Sequence, residues 1–534
     1  RDAWQEVLFN QFHDLICGCH VDEAFSSAMT RYGHSELVAS PILQKSLEAI
    51  ISQIDTRGEG VAVVVFNPLG WSRTDCVECC VAFSEPDVFD IDVRDSAGRS
   101  VPCDGIRVDR YETGAIRRAA IAFVATDVPS FGYEVYRVVR ADAPPSATDL
   151  STNQRYEGLR ADQHVGVLEN AHLRLELDLW SGAIRSLHDK SGGWEVVPEI
   201  FPFGNVIVRE QDCGNFWQYN GPCRGDAFSP MPGRYPLPAI ESPRADFSAN
   251  YHGDGTIRSG RAMAQMAIEH PFGEGHFATR VRVYAGLPRI DIRTTLINRD
   301  RRVRYRMALP TTIRDGSIVH EIPFGAIERG EGEFPAQNWI DYTGDGRGVG
   351  LLNRGLPGNN VVDGVMMLSL LKCTAIKEGY AEVGGFKLET PTEGGYEIGK
   401  THTFDYAIVP HTGDWREARL YRHGAQFNAP LIALTAAGHD GPLPPRMSFA
   451  EVSADNVVLS TLRSSEGGTV VRVYEAQGRS TQGARLRLFR PIRRCCRTNL
   501  IETECQAVEI EDNRKGFRFD LNPFEIKTFR VDTE

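Results

Sequence analysis

The sequence predicts a mainly β protein with a small α-helical segment at its N-terminus, built from antiparallel β-sandwiches. Three observations point there. Up to about residue 57 the apolar residues recur at three- and four-residue intervals, the helical period. From Val61 onward the period changes to two and stays there. Gly, Pro and Asn-Arg-Asp turns separate the alternating stretches.

In the helical segment, Trp4, Val7, Leu8, Phe12 and Ile16 form one stripe, and Gly18 stands where a helix would stop. A second helical pattern starts near Asp22. Leu43, Leu47, Ile50 and Ile54 mark a face of another helix, with Ser40 as N-cap and Pro41 in its first turn. Among the strands the clearest alternation is Leu173, Leu175, Leu177 and Leu179 against Arg174, Glu176 and Asp178, followed by Ser181-Gly182, Ile184 and Leu187. That pattern predicts a hairpin with one buried face. Linker-like stretches at Ala141 to Gln154 and Ala436 to Pro445 divide the chain into a helical segment (1–57), a small β domain (58–145), a large β-sandwich (146–438) and a C-terminal β domain (439–534).

Composition narrows the function classes. Hydrophobic residues make up 42% and charged residues 24%, the balance of a globular protein. A net charge of −12 argues against a nucleic-acid partner, because phosphate neutralisation by Lys and Arg carries that affinity. The longest apolar runs, such as Val61 to Phe66, fall far short of the ~20 residues of a membrane-spanning helix, so no membrane partner is expected. Twelve cysteines, two pairs of them adjacent, lack the spacing of a disulfide framework, and no Asn-x-Ser/Thr acceptor occurs. A cytoplasmic setting with reduced thiols is the expectation. Self-association stays open.

The chemistry-bearing segment is Trp4-Gln5-Glu6-Val7-Leu8-Phe9-Asn10-Gln11-Phe12-His13-Asp14-Leu15-Ile16-Cys17-Gly18, where an apolar helical face ends in a polar run before a glycine stop. On its own, a His-Asp pair on the last turn of a helix reads as a cap or a surface feature. The run nevertheless resembles the His-Asp motif of glycoside hydrolase family 38 α-mannosidases, and the likeness continues in order along the chain. Phe66-Asn67-Pro68-Leu69-Gly70-Trp71, Asn170 to Lys190, Glu321-Ile322-Pro323-Phe324-Gly325 with Pro335-Ala336-Gln337-Asn338-Trp339, Pro410-His411-Thr412-Gly413-Asp414-Trp415, Arg472-Val473-Tyr474-Glu475 and Pro523-Phe524-Glu525-Ile526-Lys527-Thr528 all fit that family.

The resemblance implies a large mutarotase-like sandwich and the C-terminal part of a retaining enzyme that hydrolyses terminal α-D-mannosyl residues of a glycan or mannoside. It implies that His13 ligates zinc or another divalent metal, that Asp14 contacts substrate hydroxyls, and that Arg354, on the Asn353 to Asn360 loop, reaches the sugar pocket. No catalytic carboxylate is expected in this chain. The family carries its nucleophile and acid/base on an N-terminal barrel that would precede residue 1, so the chain alone is expected to be inactive and to lack most of its metal site. A rival reading is a non-catalytic carbohydrate-binding or scaffold protein that kept the β domains; the presence of His13 and Asp14 speaks against it.

Cys17-Gly18-Cys19-His20 departs from the family pattern. It admits a Cys-x-Cys-His metal site, opposed by the lack of a second ligand pair, or small apolar fillers at a helix end. His411 and Asp414 read as a self-bonded turn, Arg472 and Glu475 as structural, and the arginine run from Arg289 to Arg306 as the wet face of strands.

Overall fold

The computed structural model describes residues 1–84, 87–141, 159–199, 203–212, 245–376 and 391–534. Most of the Ala141 to Gln154 linker lies outside them. Among the described residues three helices open the chain: α1 (Asp2–Phe9), the single-turn α2 (His13–Ile16) and α3 (Asp22–Ile51). Two expectations need correction. The first stripe is not one helix, because the chain breaks at Asn10, whose buried side-chain amide donates to the Ala28 carbonyl at 2.8 Å and so turns α1 back along α3. His13 and Asp14 therefore open a new turn instead of closing the old one. Pro41 does not begin a helix either; it lies inside α3. Its missing N–H removes the helical donor to the Leu37 carbonyl, on a residue that is exposed.

α1 lies along α3 through the Glu6–Arg31 ion pair (2.5 Å) and the Ser35 hydroxyl donating to the Ala3 carbonyl (3.1 Å). At its start, Asp22 ties α3 to the large sandwich: both carboxylate oxygens accept from the Gly394 N–H at 3.0 Å, and its own N–H donates to Pro391. At its end, Leu47 and Ile51 pack with Ala62, Val64 and Phe66 on one face of the strand Val61–Asn67. Val63 and Val65 on the other face join the small-domain core. Burial on both faces explains why this strand is a continuous apolar run and not an alternation.

The small β domain pairs Ile432–Ala436, Val61–Asn67, Gly132–Arg140, Ile91–Arg94 and Ser100–Val101 in that order, with Arg446–Ser448 also on Gly132–Arg140. A second layer holds Arg73–Ala82, Ile116–Val128 and Cys103–Arg110. The chain thus leaves this sheet after Arg140 and returns to complete it. Asn67 explains its Asn-Pro-Leu turn: its buried amide donates to the carbonyls of Trp71, Val128 and Pro129 and accepts from the Leu69 N–H.

The large sandwich stacks sheets of nine, six and five strands, counted among the described residues, over one core. Leu173, Leu175 and Leu177 point into it while Arg174 and Glu176 pair outside at 2.6 Å, as the alternation requires. Leu175 sits opposite Leu187, and Gly182 turns the hairpin at φ +78°. The arginine run departs from expectation. Arg289, Arg304 and Arg306 are buried, held by Asp75 and Asp291, by Glu333, and by Glu210 and Glu333 respectively. Paired acids, Asp291 from two residues along and the others from distant segments, make that burial tolerable.

The C-terminal β domain packs sheets of three and five strands on a core of Val471, Val473, Leu486, Phe517 and Phe529. Its Glu475 is fully buried and accepts from the N–H groups of Gln477, Gly478, Arg479 and Phe524. Helix α4 (Leu420–Asn428) fills the junction of the three β units with Leu420, Tyr421 and Phe427. No helix among the described residues is long and apolar enough to cross a membrane.

Two predictions follow from these contacts. Asp22→Ala leaves the Gly394 N–H unpaired and should cost about 1–3 kcal/mol of local stability. Amide exchange across residues 22–33 should accelerate while the large sandwich keeps its protection; unchanged exchange there would reject this anchoring role. Glu321, beside Trp339 and Tyr474, has its pKa pushed up to about 7 by burial, partly offset by the Asn338 N–H that it accepts. Because the folded value lies above the unfolded one, the stabilising neutral form is complete below about pH 4.5 and is lost as pH rises through 7. Glu321→Gln should flatten that window, on the order of 3 kcal/mol, in denaturant unfolding at pH 5 and pH 8. Parallel profiles for parent and variant would exclude the effect.

Candidate functional site

α2 presents the predicted pair. The Phe12 carbonyl accepts from Leu15 and Ile16, and Gly18, at φ +78°, closes the turn by donating to Leu15. The glycine stop expected from the sequence is therefore where a left-handed residue is needed. Within this turn His13 Nε2 stands 3.7 Å from Asp14 Oδ1, and their side chains are 76% and 54% exposed. The Phe12 ring lies beside the His13 ring, centroids 4.4 Å apart and tilted by 47°. Around them Trp4, Leu8, Phe9 and Ile16 leave more than half of their surface open. An imidazole and a carboxylate thus sit at the margin of an uncovered apolar patch, which single scattered residues would not form.

Behind α2 a cavity of 820 Å³ separates the helical segment from the large sandwich. Cys17, Gly18, His20 and Phe25 line one side; Lys372, Thr374, Glu397, Lys400 and His402 line the other. Glu397, in the left-handed region at φ +56°, holds His402 and Lys400 at 3.0 Å each. From this wall the Lys400 ammonium reaches across to lie 5.2 Å from the Phe25 ring on the helical side. The residues of this wall were not singled out from the sequence, because their approach to α2 depends on the Asp22–Gly394 contact.

Among the described residues no three His, Cys, Asp or Glu side chains converge as an ion cage. Cys17 Sγ donates to the His13 carbonyl, and His20 Nδ1 lies 3.3 Å from the Val21 carbonyl oxygen. His13 therefore suits a metal only as one imidazole among ligands from elsewhere.

Arg354 lines a different cavity, between the large sandwich and the small β domain, which shares no lining residue with the first. Its N–H donates to the Asp405 carbonyl, its guanidinium donates to the Phe427 carbonyl and lies 4.7 Å above that ring, and Asp405 Oδ2 is 3.4 Å away. The structure brings His13 and Asp14 together and sets Arg354 apart. His411 pairs with buried Asp341 at 2.9 Å, and Asp414 caps its own turn by accepting from the N–H groups of Arg416 and Glu417.

Comparison with known proteins matches this architecture. The model described as Glycosyl hydrolases family 38 C-terminal domain fits residues 168–377, and that described as Glycosyl hydrolases family 38 C-terminal beta sandwich domain fits residues 456–529. Mouse alpha-mannosidase 2C1 is 24% identical over 99% of this chain and 45% of its own length. Alpha-mannosidase G of Dictyostelium discoideum is 23% identical over 99% of this chain and 47% of its own. This chain spans about half the length of these curated relatives. A crystal structure of an alpha-mannosidase from Enterococcus faecalis V583 superposes with a TM-score of 0.77 at 19% identity, over 99% of this chain and 63% of that one, a likeness of fold. With two models of one family on its two sandwich regions, and with that fold shared along its length, this chain belongs to glycoside hydrolase family 38 and spans the C-terminal region of it.

Proposed function

We propose that this chain serves as the C-terminal part of a retaining α-mannosidase that removes terminal α-D-mannosyl residues from a glycan or mannoside. The observation that carries the reading is the solvent-open His13–Asp14 pair at the edge of an uncovered apolar patch, in a chain that aligns with about half the length of its mannosidase relatives. An exposed catalytic-type pair beside bare apolar surface is what a half-site requires, the other half being supplied by residues that cover the patch.

In this reading Asp14, as a carboxylate, accepts hydrogen bonds from adjacent sugar hydroxyls and sets the orientation of the sugar ring. His13 offers its ring nitrogen as one ligand to a divalent ion, with the Phe12 ring beside it. Bound there, zinc would supply Lewis acidity toward sugar oxygens. Retention needs two carboxyl groups about 5–5.5 Å apart on either side of the scissile bond. This reading gives Asp14 neither role but that of a substrate-orienting carboxylate, whose ion-pair partner among the described residues is His13.

The test uses the complete gene product and residues 1–534 side by side on an aryl α-mannoside with added zinc. The complete product should release mannose with the α configuration, followed by proton NMR, and His13→Ala or Asp14→Asn should lower kcat/KM by about 100-fold or more. Residues 1–534 alone should give no turnover. Robust hydrolysis by that piece, or full activity in both variants, would overturn the reading; binding without hydrolysis by the complete product would favour a carbohydrate-binding scaffold.

A further inference from the structure

The cleft between the two β domains has a volume of 500 Å³, and a hollow of 160 Å³ continues it along the same sheet, sharing Arg280 and Arg282. Four arginines face this groove from three strands of the nine-stranded sheet: Arg258, Arg280, Arg282 and Arg293. The chain as a whole carries a net charge of −12, so this concentration of cations runs against its composition. Strand register makes it costlier still. Arg280 lies directly opposite Arg293, and Gln265 lies between Arg258 and Arg282 across neighbouring strands. Like charges directly opposed on antiparallel strands destabilise a sheet.

The acids nearby are already engaged. Asp405 holds Arg293 through two hydrogen bonds of 2.7 and 2.9 Å, and Glu78 reaches Arg282 at 3.1 Å. Asp75 and Asp291 are both taken by buried Arg289. Asp104, at the floor of the hollow, accepts from three successive backbone N–H groups, those of Arg261, Ala262 and Met263. Among the described residues Arg258 and Arg280 have no acidic partner within ion-pair distance. Both are exposed at the groove, and partial burial, then the charges of Arg282 and Arg293, lower the Arg280 pKa from its ordinary value while Glu78 acts in the opposite sense. Two cations left without an ion-pair partner beside a cavity, in a row whose other arginines are already paired, mark a place where a ligand supplies the compensation.

We propose that this groove binds a small oxyanion-bearing ligand, a phosphate or carboxylate compound, between Arg258 and Arg280 with Arg282 behind them. Planar guanidinium groups present paired N–H donors that match either head group. Ile106, Pro430 and Leu431 line the adjoining cleft and give an uncharged remainder of the ligand apolar contact. None of these residues enters the proposed mannoside hydrolysis.

Calorimetric titration of residues 1–534 with inorganic phosphate and with malonate, at low ionic strength, tests this. Saturable binding to one site is expected, weakening as salt is raised. Arg258→Gln with Arg280→Gln should weaken it by about tenfold or more, while Arg493→Gln, at an exposed position of the C-terminal domain, should leave it unchanged. The tighter of the two probes assigns the head group. A second readout separates a binding arginine from a structural one: without anion, Arg280→Gln should raise the melting temperature by relieving the Arg280–Arg293 repulsion. No saturable binding of either probe, equal binding by the double variant, or a lowered melting temperature in Arg280→Gln would each overturn the proposal.

Discussion

The packing of α4 into the corner where three β units meet is the constraint on which the rest depends. Trp71 from the small domain, Trp339, Leu352 and Val409 from the large sandwich, and Val458 and Ala476 from the C-terminal domain all close on Leu420, Tyr421 and Phe427. The Trp339 and Trp415 rings lie 5.3 Å apart at the centre. Each such side chain contributes roughly 1.5–3 kcal/mol on burial, and aromatic pairs add to this. Gly424 makes the close approach of α4 feasible, since a Cβ there would lie 2.7 Å from the Trp339 ring. With this corner set, the orientation of the two β domains is determined, and so is the width of the arginine-lined cleft between them.

Local period carried much of the fold. Leucines at every second position from Leu173 could satisfy only a half-buried strand, and Gly18 could end a turn because it alone tolerates the left-handed backbone without strain. Where the reading failed, a distant residue decided. The break at Asn10 follows from a bond to Ala28, a neighbour only after α1 folds back. Pro41 stays inside α3 because the helix is anchored at both ends, by Gly394 and by the small sheet, and those contacts outweigh one lost hydrogen bond. The arginines at 304 and 306 looked solvent-facing because their counter-charges come from elsewhere in the chain, and Arg289 adds distant Asp75 to its neighbour Asp291.

The candidate site shows the same division. The His-Asp pair was legible because it lies in one short run of sequence. The cavity wall opposite it, with Glu397, Lys400 and His402, was not, since it reaches α2 only through tertiary contact. The arginine groove was invisible for a stricter reason. Whether two arginines on neighbouring strands repel or ignore each other depends on register, and a one-residue slip would send one of them to the opposite face.

The small β domain is interrupted in sequence by the entire large sandwich. Val61–Asn67 takes Gly132–Arg140 as its first neighbour, but its other edge is matched only by Ile432–Ala436. On a ribosome adding about 5–20 residues per second, that edge waits for tens of seconds. An apolar strand with one unpaired side invites pairing with other chains, and α3, which covers a face and not an edge, does not remove the exposure. The nascent chain must therefore complete the large sandwich before its earliest β domain can close, which makes the order of synthesis a determinant of yield as much as the stability of the finished protein.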